Sequence, residues 1–555
     1  MPQLTRLFEP IKLNRFTIRN RIAMLPHVTN LADGGFPSDA SVAYYAERAK
    51  GGVGMIIQES GQIMPAATLG PKSIRGWDPA VVPHARRVTE AVHQHGAHIV
   101  WQILHSGRQM ASMWSREYIW APSALRSPNA REVPHAMTKD DIKTAVRAYA
   151  QTARHAKLAG YDGVEIHSAH GYLPQQFMSP LANVRTDEYG GSLENRTRFV
   201  REVIEAVREE LGPDLILGIR ISGDEFAEGG LSIEEMDDIA PILEGTGCLD
   251  YLNVSHCVYN GLSAATMIPD MSWPQTAFVY LAERIKAAVD HTPVVTVGRI
   301  IDPVKAEEII EQGQADMVGM VRALIADPEL PNKAKAGAID EVRYCIGCNQ
   351  GCVGRGHAGF SIGCLVNPVA GREFEWSELP VAEKKKNVMV VGGGPAGMEA
   401  ARVAALRGHN VTLYEKEPAL GGAANLASAI PFRAEFGGLQ KWLIGSLQRL
   451  EIKVITNHAV TLDQIRTETR TVVIATGSIA PPDFPAMPAA PPRSRTTCAT
   501  GRRSVTTSCW SITTATSAAP PPPNGWPTRG RRSSTSPSTA RSERSFHRTE
   551  PAAAT

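Results

Sequence analysis

Four cysteines that lie close together in the sequence could bind one inorganic centre. Cys345, Cys348, Cys352 and Cys364 follow the spacing C-x2-C-x3-C-x11-C. Glycines between them let the backbone turn back towards the sulfur atoms. Four thiolates suit either a [4Fe-4S] cluster or a structural zinc ion, although zinc sites usually pair two C-x2-C units and the second pair is missing here. Four unrelated buried thiols are the third interpretation.

A second group of polar residues follows short apolar runs in the first 340 residues. Two imidazoles three residues apart on one turn, at 167 and 170, can converge on a single acceptor oxygen. The neighbouring pair Gly298-Arg299 and the sequence Gly319-Met-Val-Arg322 suit a phosphate. Taken singly, Arg220 could pair with a buried carboxylate and Gln102 could satisfy backbone groups. Their coincidence at the ends of the runs favours a functional site, whose candidate residues are Pro26, His27, Gln102, His167, His170, Tyr172, Arg220, Gly298, Gly319 and Arg322.

The apolar runs that carry these residues predict eight strands. They cover residues 21–25, 53–59, 98–103, 163–168, 215–221, 251–255, 293–297 and 316–320. Several lack polar alternation, as expected of strands buried on both faces, and stretches such as 80–95 carry helical spacing between them. Eight strand–helix units predict an α/β fold with a (β/α)8 TIM barrel, in which chemistry sits where strands end. A doubly wound sheet is the competitor, but none of these runs leads into a glycine-rich turn.

A glycine-rich loop after residue 386 predicts a nucleotide-binding site. The apolar run 388–391 leads into Gly392, Gly394 and Gly397 in the pattern G-x-G-x-x-G, and a second run ends at Glu415. Glycines permit a tight turn and let a pyrophosphate approach the helix N-terminus, and the acidic residue is placed for a ribose hydroxyl.

Residues 1 to about 480 resemble the old yellow enzyme family, in the long branch that includes 2,4-dienoyl-CoA reductase, trimethylamine dehydrogenase and histamine dehydrogenase. The stretches LFEPIKLNRFTIRNRIAM, HIVWQILHSGR and QQFMSPLANVRTDEYGGSLENRTRF carry the likeness, together with the four cysteines. The resemblance implies FMN in the barrel, a [4Fe-4S] cluster on the cysteines, FAD or only ADP in a Rossmann-like FAD/NAD(P)-type domain, and NAD(P)H as reductant.

The resemblance also assigns roles to single residues. It places Gln102 at the pyrimidine edge of the flavin and Arg220 beside N1 and O2 of the reduced ring. Gly422 and the segment 471–478 resemble the FAD-dependent pyridine nucleotide reductases. The resemblance also places Pro26 and His27 against the flavin ring, and it implies that Gly298, Gly319 and Arg322 bind the FMN phosphate.

The histidine pair resembles that of the enone reductases, where both rings donate hydrogen bonds to the substrate carbonyl and the tyrosine, here Tyr172, protonates the α-carbon. The amine dehydrogenases have tyrosine where this chain has His167, and the dienoyl-CoA reductases lack both histidines. We therefore expect reduction of the C=C bond of an α,β-unsaturated carbonyl or enoyl thioester, with electrons passing from FAD to [4Fe-4S] to FMN. The alternatives are an amine dehydrogenase or N-demethylase, and a truncated product impaired in NAD(P)H-driven turnover.

Composition limits the partners and the compartment. The net charge is +2, but residues 492–555 contain ten arginines and two glutamates, so the rest of the chain is mildly acidic and offers no case for nucleic acid. We expect no membrane span and no signal sequence, and the clustered cysteines fit a reducing cytoplasm. The expected partner is a small-molecule enone, enoyl-CoA or amine, and a homo-oligomer is an open alternative.

These observations predict four segments. They are an FMN-binding TIM barrel at 1–340, a [4Fe-4S] connector at 341–380, an incomplete FAD- or ADP-binding domain at 385–490, and a low-complexity tail at 491–555 that is either disordered or frame-shifted.

Overall fold

The computed structural model describes residues 4–467 and 471–478. All of them belong to one compact unit. The predicted tail at 491–555 and the last part of the predicted nucleotide-binding domain, 479–490, lie outside the described residues. Within the described part, no helix is both long and apolar enough to cross a membrane.

Eight parallel strands close into a barrel, which confirms the predicted fold class. Each strand pairs with its neighbours in chain order, and the last pairs with the first through Val318 and Ile22. All eight predicted runs overlap a strand, and the largest difference is in the second, which continues to Gln62. The strands are β1 (Ile22–Met24), β2 (Met55–Gln62), β3 (His98–Leu104), β4 (Gly163–Ser168), β5 (Ile216–Ser222), β6 (Tyr251–Ser255), β7 (Val294–Thr296) and β8 (Met317–Gly319).

Eight helices follow the strands and cover the outside of the barrel. In the second helix, Val81, Ala85 and Val88 are buried at helical spacing, which is why this segment packs one face against the sheet. Thr138 caps the third helix through a reciprocal capping box. The helices are α1 (Asp39–Lys50), α2 (Val81–His93), α3 (Lys139–Leu158), α4 (Leu193–Leu211), α5 (Ile233–Glu244), α6 (Val279–Ala288), α7 (Pro303–Glu311) and α8 (Val321–Ala326).

A short hairpin closes the amino end of the barrel. Its strands, Ile11–Leu13 and Phe16–Ile18, pair in antiparallel fashion. Leu13 and Ile18 are buried against inward-facing residues such as Val100. Burial of a side chain of this size contributes about 1.5–3 kcal/mol. Because this end is packed, the carboxyl end of the strands is left for a site.

Asp162, just before β4, accepts several hydrogen bonds at the amino end of the barrel. It lies 2.9 Å from His93 Nε2 and 3.3 Å from His98 Nδ1, and it accepts from the backbone N–H of Ile99 at 2.8 Å. Burial opposes ionisation of Asp162, but these hydrogen bonds outweigh it and lower its pKa from 3.8 to about 2. The carboxylate therefore stabilises the folded state when it is charged.

A second, four-stranded parallel sheet follows the barrel. Its strand order is β11-β10-β9-β12, the arrangement of a nucleotide-binding α/β domain. This confirms the predicted type of the second domain, whereas the exact segment boundaries stay predictions. The strands are β9 (Asn387–Val391), β10 (Asn410–Tyr414), β11 (Lys453–Ile455) and β12 (Thr471–Ile474), and the helices are α9 (Pro395–Leu406), α10 (Ala423–Ala429), α11 (Phe436–Arg449) and α12 (Leu462–Thr467).

The connector between the two sheets carries the four cysteines and three short helical segments, Gln350–Gly354, Arg355–His357 and Glu373–Trp376. Glu373 forms an ion pair with Arg48 of α1, and both side chains are buried. The Arg48 guanidinium also lies 3.7 Å from the centre of the Tyr44 ring. This buried pair fastens the connector to the barrel.

Candidate functional site

Three aromatic side chains meet where β4 ends. The ring centre of His167 is 5.0 Å from that of His170 and 4.7 Å from that of Tyr172. The chain turns sharply there, because His170 and Gly171 have φ of +59° and +76°, values that are uncommon for residues other than glycine. All three rings are buried. The turn therefore assembles the predicted catalytic residues in one group.

A chain of hydrogen bonds fixes the two imidazoles. The backbone N–H of Ala169 donates to His167 Nδ1 at 3.3 Å, which places the proton of His167 on Nε2. That nitrogen lies 3.3 Å from His170 Nδ1, and His170 Nε2 lies 2.8 Å from Ser255 Oγ. Arg220 Nη2 donates to the same hydroxyl at 3.1 Å. Ser255, which the sequence did not indicate, thus joins the histidines to the arginine.

Both histidines are neutral near pH 7. Burial lowers the pKa of His167 well below its ordinary value, and the positive charge of Arg220 lowers it further. The pKa of His170 is lowered for the same two reasons. Neutral imidazoles can each donate one hydrogen bond and accept another, which a pair of imidazolium ions cannot do.

A buried carboxylate that the sequence analysis missed lies below this group. Glu165 accepts hydrogen bonds from Gln102 Nε2 at 2.8 Å, from the Tyr251 hydroxyl at 3.1 Å and from Asn253 Nδ2 at 2.8 Å. Burial raises its pKa, while the charge of Arg220 acts to lower it. Glu165 and His167 are two residues apart in β4, so both face the barrel interior. That alternation within GVEIHS is the signal that could have identified it.

Arg220 has donor capacity left for a ligand. Its Nε is buried and has no hydrogen-bond partner among the described residues. Burial lowers its pKa, and the charge of Glu165 opposes that effect. A guanidinium always remains charged in proteins. The unsatisfied nitrogen at the carboxyl end of β5 fits a flavin, whose N1 and O2 atoms would accept from it.

The predicted phosphate residues lie at the ends of β7 and β8. Gly298 has φ of +132°, and a side chain on Gly319 would lie 2.4 Å from Leu25 Cδ1, so both positions require glycine. Arg322 Nη1 donates to a backbone carbonyl at 2.7 Å and to Asn349 Oδ1 at 2.8 Å. Arg322 therefore links the barrel to the cysteine segment, and its phosphate role stays a prediction.

Arg299, which follows Gly298, has another partner. Its buried guanidinium forms an ion pair with Glu435, which immediately precedes α11. The positive charge that the sequence suggested for a phosphate is thus shared with the second domain.

His27 lies just beyond β1 with both ring nitrogens engaged. Its Nδ1 is 3.0 Å from the Leu25 carbonyl oxygen, and its Nε2 is 2.7 Å from the Tyr44 hydroxyl. Burial lowers its pKa to about 4, and the nearby charge of Arg48 contributes in the same direction. The ring is therefore neutral and fixed. Pro26, half-buried, precedes it, and their predicted contact with the flavin ring stays a prediction.

Tyr172 has a second tyrosine as its neighbour. Its hydroxyl donates to that of Tyr259 at 3.4 Å, and the two ring centres are 5.9 Å apart. Burial raises the pKa of Tyr172 well above its ordinary value, and Tyr259 adds to the shift. Tyr172 consequently keeps its proton at neutral pH.

All four cysteines line one cleft, together with Arg322. Burial raises the pKa of Cys352 to about 12 and that of Cys364 to about 11, and it also raises the pKa of Cys345. The charge of Arg322 favours the thiolate forms of Cys345 and Cys352. Among the described residues, no group of three or more His, Cys, Asp or Glu side chains is close enough to hold a metal ion.

This donor set fits an iron–sulfur cluster. In a [4Fe-4S] cluster each thiolate binds a different iron, so the four ligands surround a group rather than one ion. The cleft that they share has an empty volume of about 310 Å³, part of it open to solvent. Asn349 and Gly347 turn the segment with φ of +54° and +60°. The assignment of the cluster to the four cysteines remains a prediction.

The glycine-rich loop has the shape that a dinucleotide needs. A side chain on Gly392 would lie 2.3 Å from the Ala475 carbonyl oxygen, and one on Gly397 would lie 1.9 Å from that of Gly392. At Gly394 nothing lies within 4 Å of that position, which leaves open space at the N-terminus of α9. Gly422, with φ of +53°, lies against Gly394. These features fit a bound pyrophosphate.

Glu415 lies beside this loop at the end of β10. Its carboxylate accepts from the backbone N–H of Gly393 at 2.6 Å and from that of Glu417 at 2.9 Å. The side chain is thereby held next to the open space, and the predicted contact with a ribose stays a prediction.

Comparison with known proteins identifies the two domains. Residues 6–341 match the NADH:flavin oxidoreductase / NADH oxidase family, and residues 386–509 match the pyridine nucleotide-disulphide oxidoreductases. The chain belongs to the NADH:flavin oxidoreductase / NADH oxidase family. These matches imply FMN in the barrel, as predicted, and FAD or NAD(P) in the second domain, for which FAD or ADP was predicted.

Relatives in this family carry out different reactions. The NADH oxidase of Thermoanaerobacter brockii is 43% identical over 86% of this chain and 74% of its own. The N,N-dimethylglycine/sarcosine dehydrogenase of Chromohalobacter salexigens is 39% identical over 85% of this chain and 69% of its own. The cinnamate reductase of Clostridium sporogenes is 36% identical over 85% of this chain and 74% of its own. A solved 2-naphthoyl-CoA reductase complex superposes with a TM-score of 0.82 at 32% identity, covering 86% of this chain and 75% of the other.

Proposed function

We propose that this chain reduces the C=C bond of an α,β-unsaturated carbonyl compound or enoyl thioester at the barrel mouth. The observation that carries the proposal is the hydrogen-bonded pair His167–His170 beside Tyr172. FMN, held by the residues assigned to it above, would supply the hydride to the β-carbon. The relatives named cinnamate reductase and 2-naphthoyl-CoA reductase support this chemistry.

The histidine pair can bind a carbonyl oxygen through two donors. His167 carries its proton on Nε2, and this atom is 3.3 Å from His170 Nδ1. An entering oxygen takes the place of the bond between the rings. The Ser255 hydroxyl can then donate to His170 Nε2, which moves the proton of His170 to Nδ1 and turns it towards the same oxygen. Two such hydrogen bonds stabilise the negative charge that develops on the oxygen.

Tyr172 is the proposed proton donor to the α-carbon. Its pKa is raised, so the phenol holds its proton until a stronger base forms next to it. Tyr259 is placed to return a proton to it.

We extend the proposal to the electron supply. Cys345, Cys348, Cys352 and Cys364 would hold a [4Fe-4S] cluster, and the loop around Gly392 would hold FAD or ADP. These groups would pass electrons from NAD(P)H to the barrel, and the relative named NADH oxidase supports the reductant.

A second candidate is oxidation of an N-methylated amine, which the dimethylglycine/sarcosine dehydrogenase favours. The site argues against a simple ammonium substrate, because Arg220 is a buried cation beside the histidines. The two neutral imidazoles add no negative charge, and the Glu165 carboxylate below them is already engaged by its own hydrogen-bond donors.

Ligand titration of the histidine variants tests the proposal. His167→Asn and His170→Asn should weaken the binding of a phenol and of 2-cyclohexenone, as measured from the flavin absorbance. The control, His357→Asn at an exposed position, should bind both ligands like the parent. Unchanged affinities in both active-site variants would contradict the role of the pair.

A further inference from the structure

A cleft beside the proposed reaction site contains a buried cation. The cleft has an empty volume of about 280 Å³, part of it open to solvent, and its walls include Arg108, Gln109, Glu225 and Tyr259. Tyr259 contacts Tyr172 through its hydroxyl. The cleft therefore adjoins the proposed proton donor.

Arg108 has few partners of its own. Arg108 is buried, with only 8% of its surface exposed. Nη1 makes one long hydrogen bond of 3.4 Å to the Leu125 carbonyl oxygen, and Nε is buried without a partner among the described residues. Within the described part of the chain, Arg108 forms no ion pair. A buried charge in this condition has a large free-energy cost unless a ligand compensates it.

Glu225 supplies the opposing charge in the cleft, but its oxygens are occupied. One accepts from Gln175 Nε2 at 2.6 Å. The other accepts from the Ser179 hydroxyl at 2.8 Å and from the backbone N–H of Leu231 at 2.9 Å. The carboxylate is therefore held by the segment that follows β4 and by the backbone of Leu231, and it makes no hydrogen bond to Arg108.

Gln109 provides a second donor next to Arg108. Its Oε1 accepts from the Ser127 hydroxyl at 2.7 Å, which fixes the orientation of the amide. Its Nε2 faces Gly171, where a Cβ atom would lie only 2.6 Å away. A planar guanidinium next to an oriented amide N–H is a good match for a carboxylate.

We propose that Arg108 and Gln109 form a carboxylate-binding subsite, and that the substrate carries an anionic group in addition to the carbonyl that activates its double bond. This inference rests on the proposed function, because it assigns a substrate class to the same site. An acidic enone or an unsaturated dicarboxylate fits the two groups of donors, whereas a neutral alkene leaves the buried Nε of Arg108 without an acceptor.

Two matched phenols test the subsite without turnover. 4-Hydroxybenzoate and its methyl ester both offer a hydroxyl to the histidines, but only the acid carries a carboxylate. Their dissociation constants are measured on the flavin-loaded full-length protein from flavin absorbance and by calorimetry. Arg108→Gln should raise the dissociation constant of the acid about 10-fold to 100-fold, as expected for the loss of hydrogen bonds to a charged group. The dissociation constant of the ester should stay within about two-fold of its parent value. Arg131→Gln, at an exposed arginine further along the same loop, should change neither.

Arg108→Lys is a second variant, to be used if Arg108→Gln does not yield folded, flavin-loaded protein. It keeps the charge but not the planar fork, so a loss confined to the acid is again expected. Equal effects on acid and ester, or none, would overturn the subsite. If the acid-specific loss occurs but no unsaturated carbonyl compound is reduced, the subsite stands and the proposed function fails. If unsaturated acids and their esters are reduced equally well, the proposed function stands and the subsite fails.

Discussion

Replacing Ser255 with alanine tests how the histidine pair is held. The hydroxyl lies 2.8 Å from His170 Nε2 and accepts from Arg220 Nη2 at 3.1 Å. A hydrogen bond between neutral groups contributes about 0.5–1.5 kcal/mol and one to a charged group about 1.5–3 kcal/mol. Ser255→Ala should therefore lower the free energy of unfolding by about 2–4 kcal/mol. Only the bond to His170 acts on a ligand, so phenol affinity should fall about five-fold to ten-fold.

Ser168 provides a matched control at the end of β4, which is separated from the strand of Ser255 by β5. It is fully buried, and its Oγ has no hydrogen-bond partner among the described residues. Ser168→Ala should therefore change neither stability nor phenol affinity appreciably. Denaturant unfolding and phenol titration of the two variants provide the measurements. Similar behaviour of Ser255→Ala and Ser168→Ala would refute the inference that Ser255 orients His170.

Four further outcomes are expected. Tyr172→Phe should reduce turnover of an enone by about 10²–10⁴-fold in steady-state assays while hydride transfer, followed by stopped flow, persists. Cys364→Ser should lower the iron and acid-labile sulfide content, whereas Cys248→Ser should leave both unchanged. Glu373→Gln should lower the free energy of unfolding in urea by about 3–5 kcal/mol, because it leaves a buried arginine without its partner, and the exposed glutamate two residues later is the control. Asp162 has a folded-state pKa below its unfolded value of 3.8, so its stabilisation of about 2 kcal/mol is complete above that pH and is lost as the pH falls towards 2. The difference in unfolding free energy between parent and Asp162→Asn should shrink accordingly across that range.

The sequence predicted the barrel well, because strands buried on both faces give unbroken apolar runs such as 293–297. It also placed His167, His170 and Tyr172 in one turn, since they are neighbours along the chain. Glu165 was missed because it lies inside such a run, and its partners come from β3 and β6. Spacing along the chain carries no information on contacts of this kind.

Other contacts were not predicted because the partners lie far apart in sequence. Ser255 looked like an ordinary end of a strand, yet it joins His170 to Arg220. Arg299 looked like a phosphate ligand, yet it pairs with Glu435, 136 residues away. Only the folded chain reveals whether a buried charge faces a cofactor or another side chain.

Reoxidation of the reduced protein tests the central proposal most directly. The full-length protein, loaded with FMN, is photoreduced without oxygen and mixed in a stopped-flow instrument with unsaturated carbonyl compounds or with N-methylated amines. We expect the flavin absorbance to return at a rate that saturates with the concentration of an unsaturated carbonyl compound, with one saturated product formed per flavin. Failure of all such compounds to reoxidise the flavin, together with bleaching of the oxidised protein by an N-methylated amine, would contradict it.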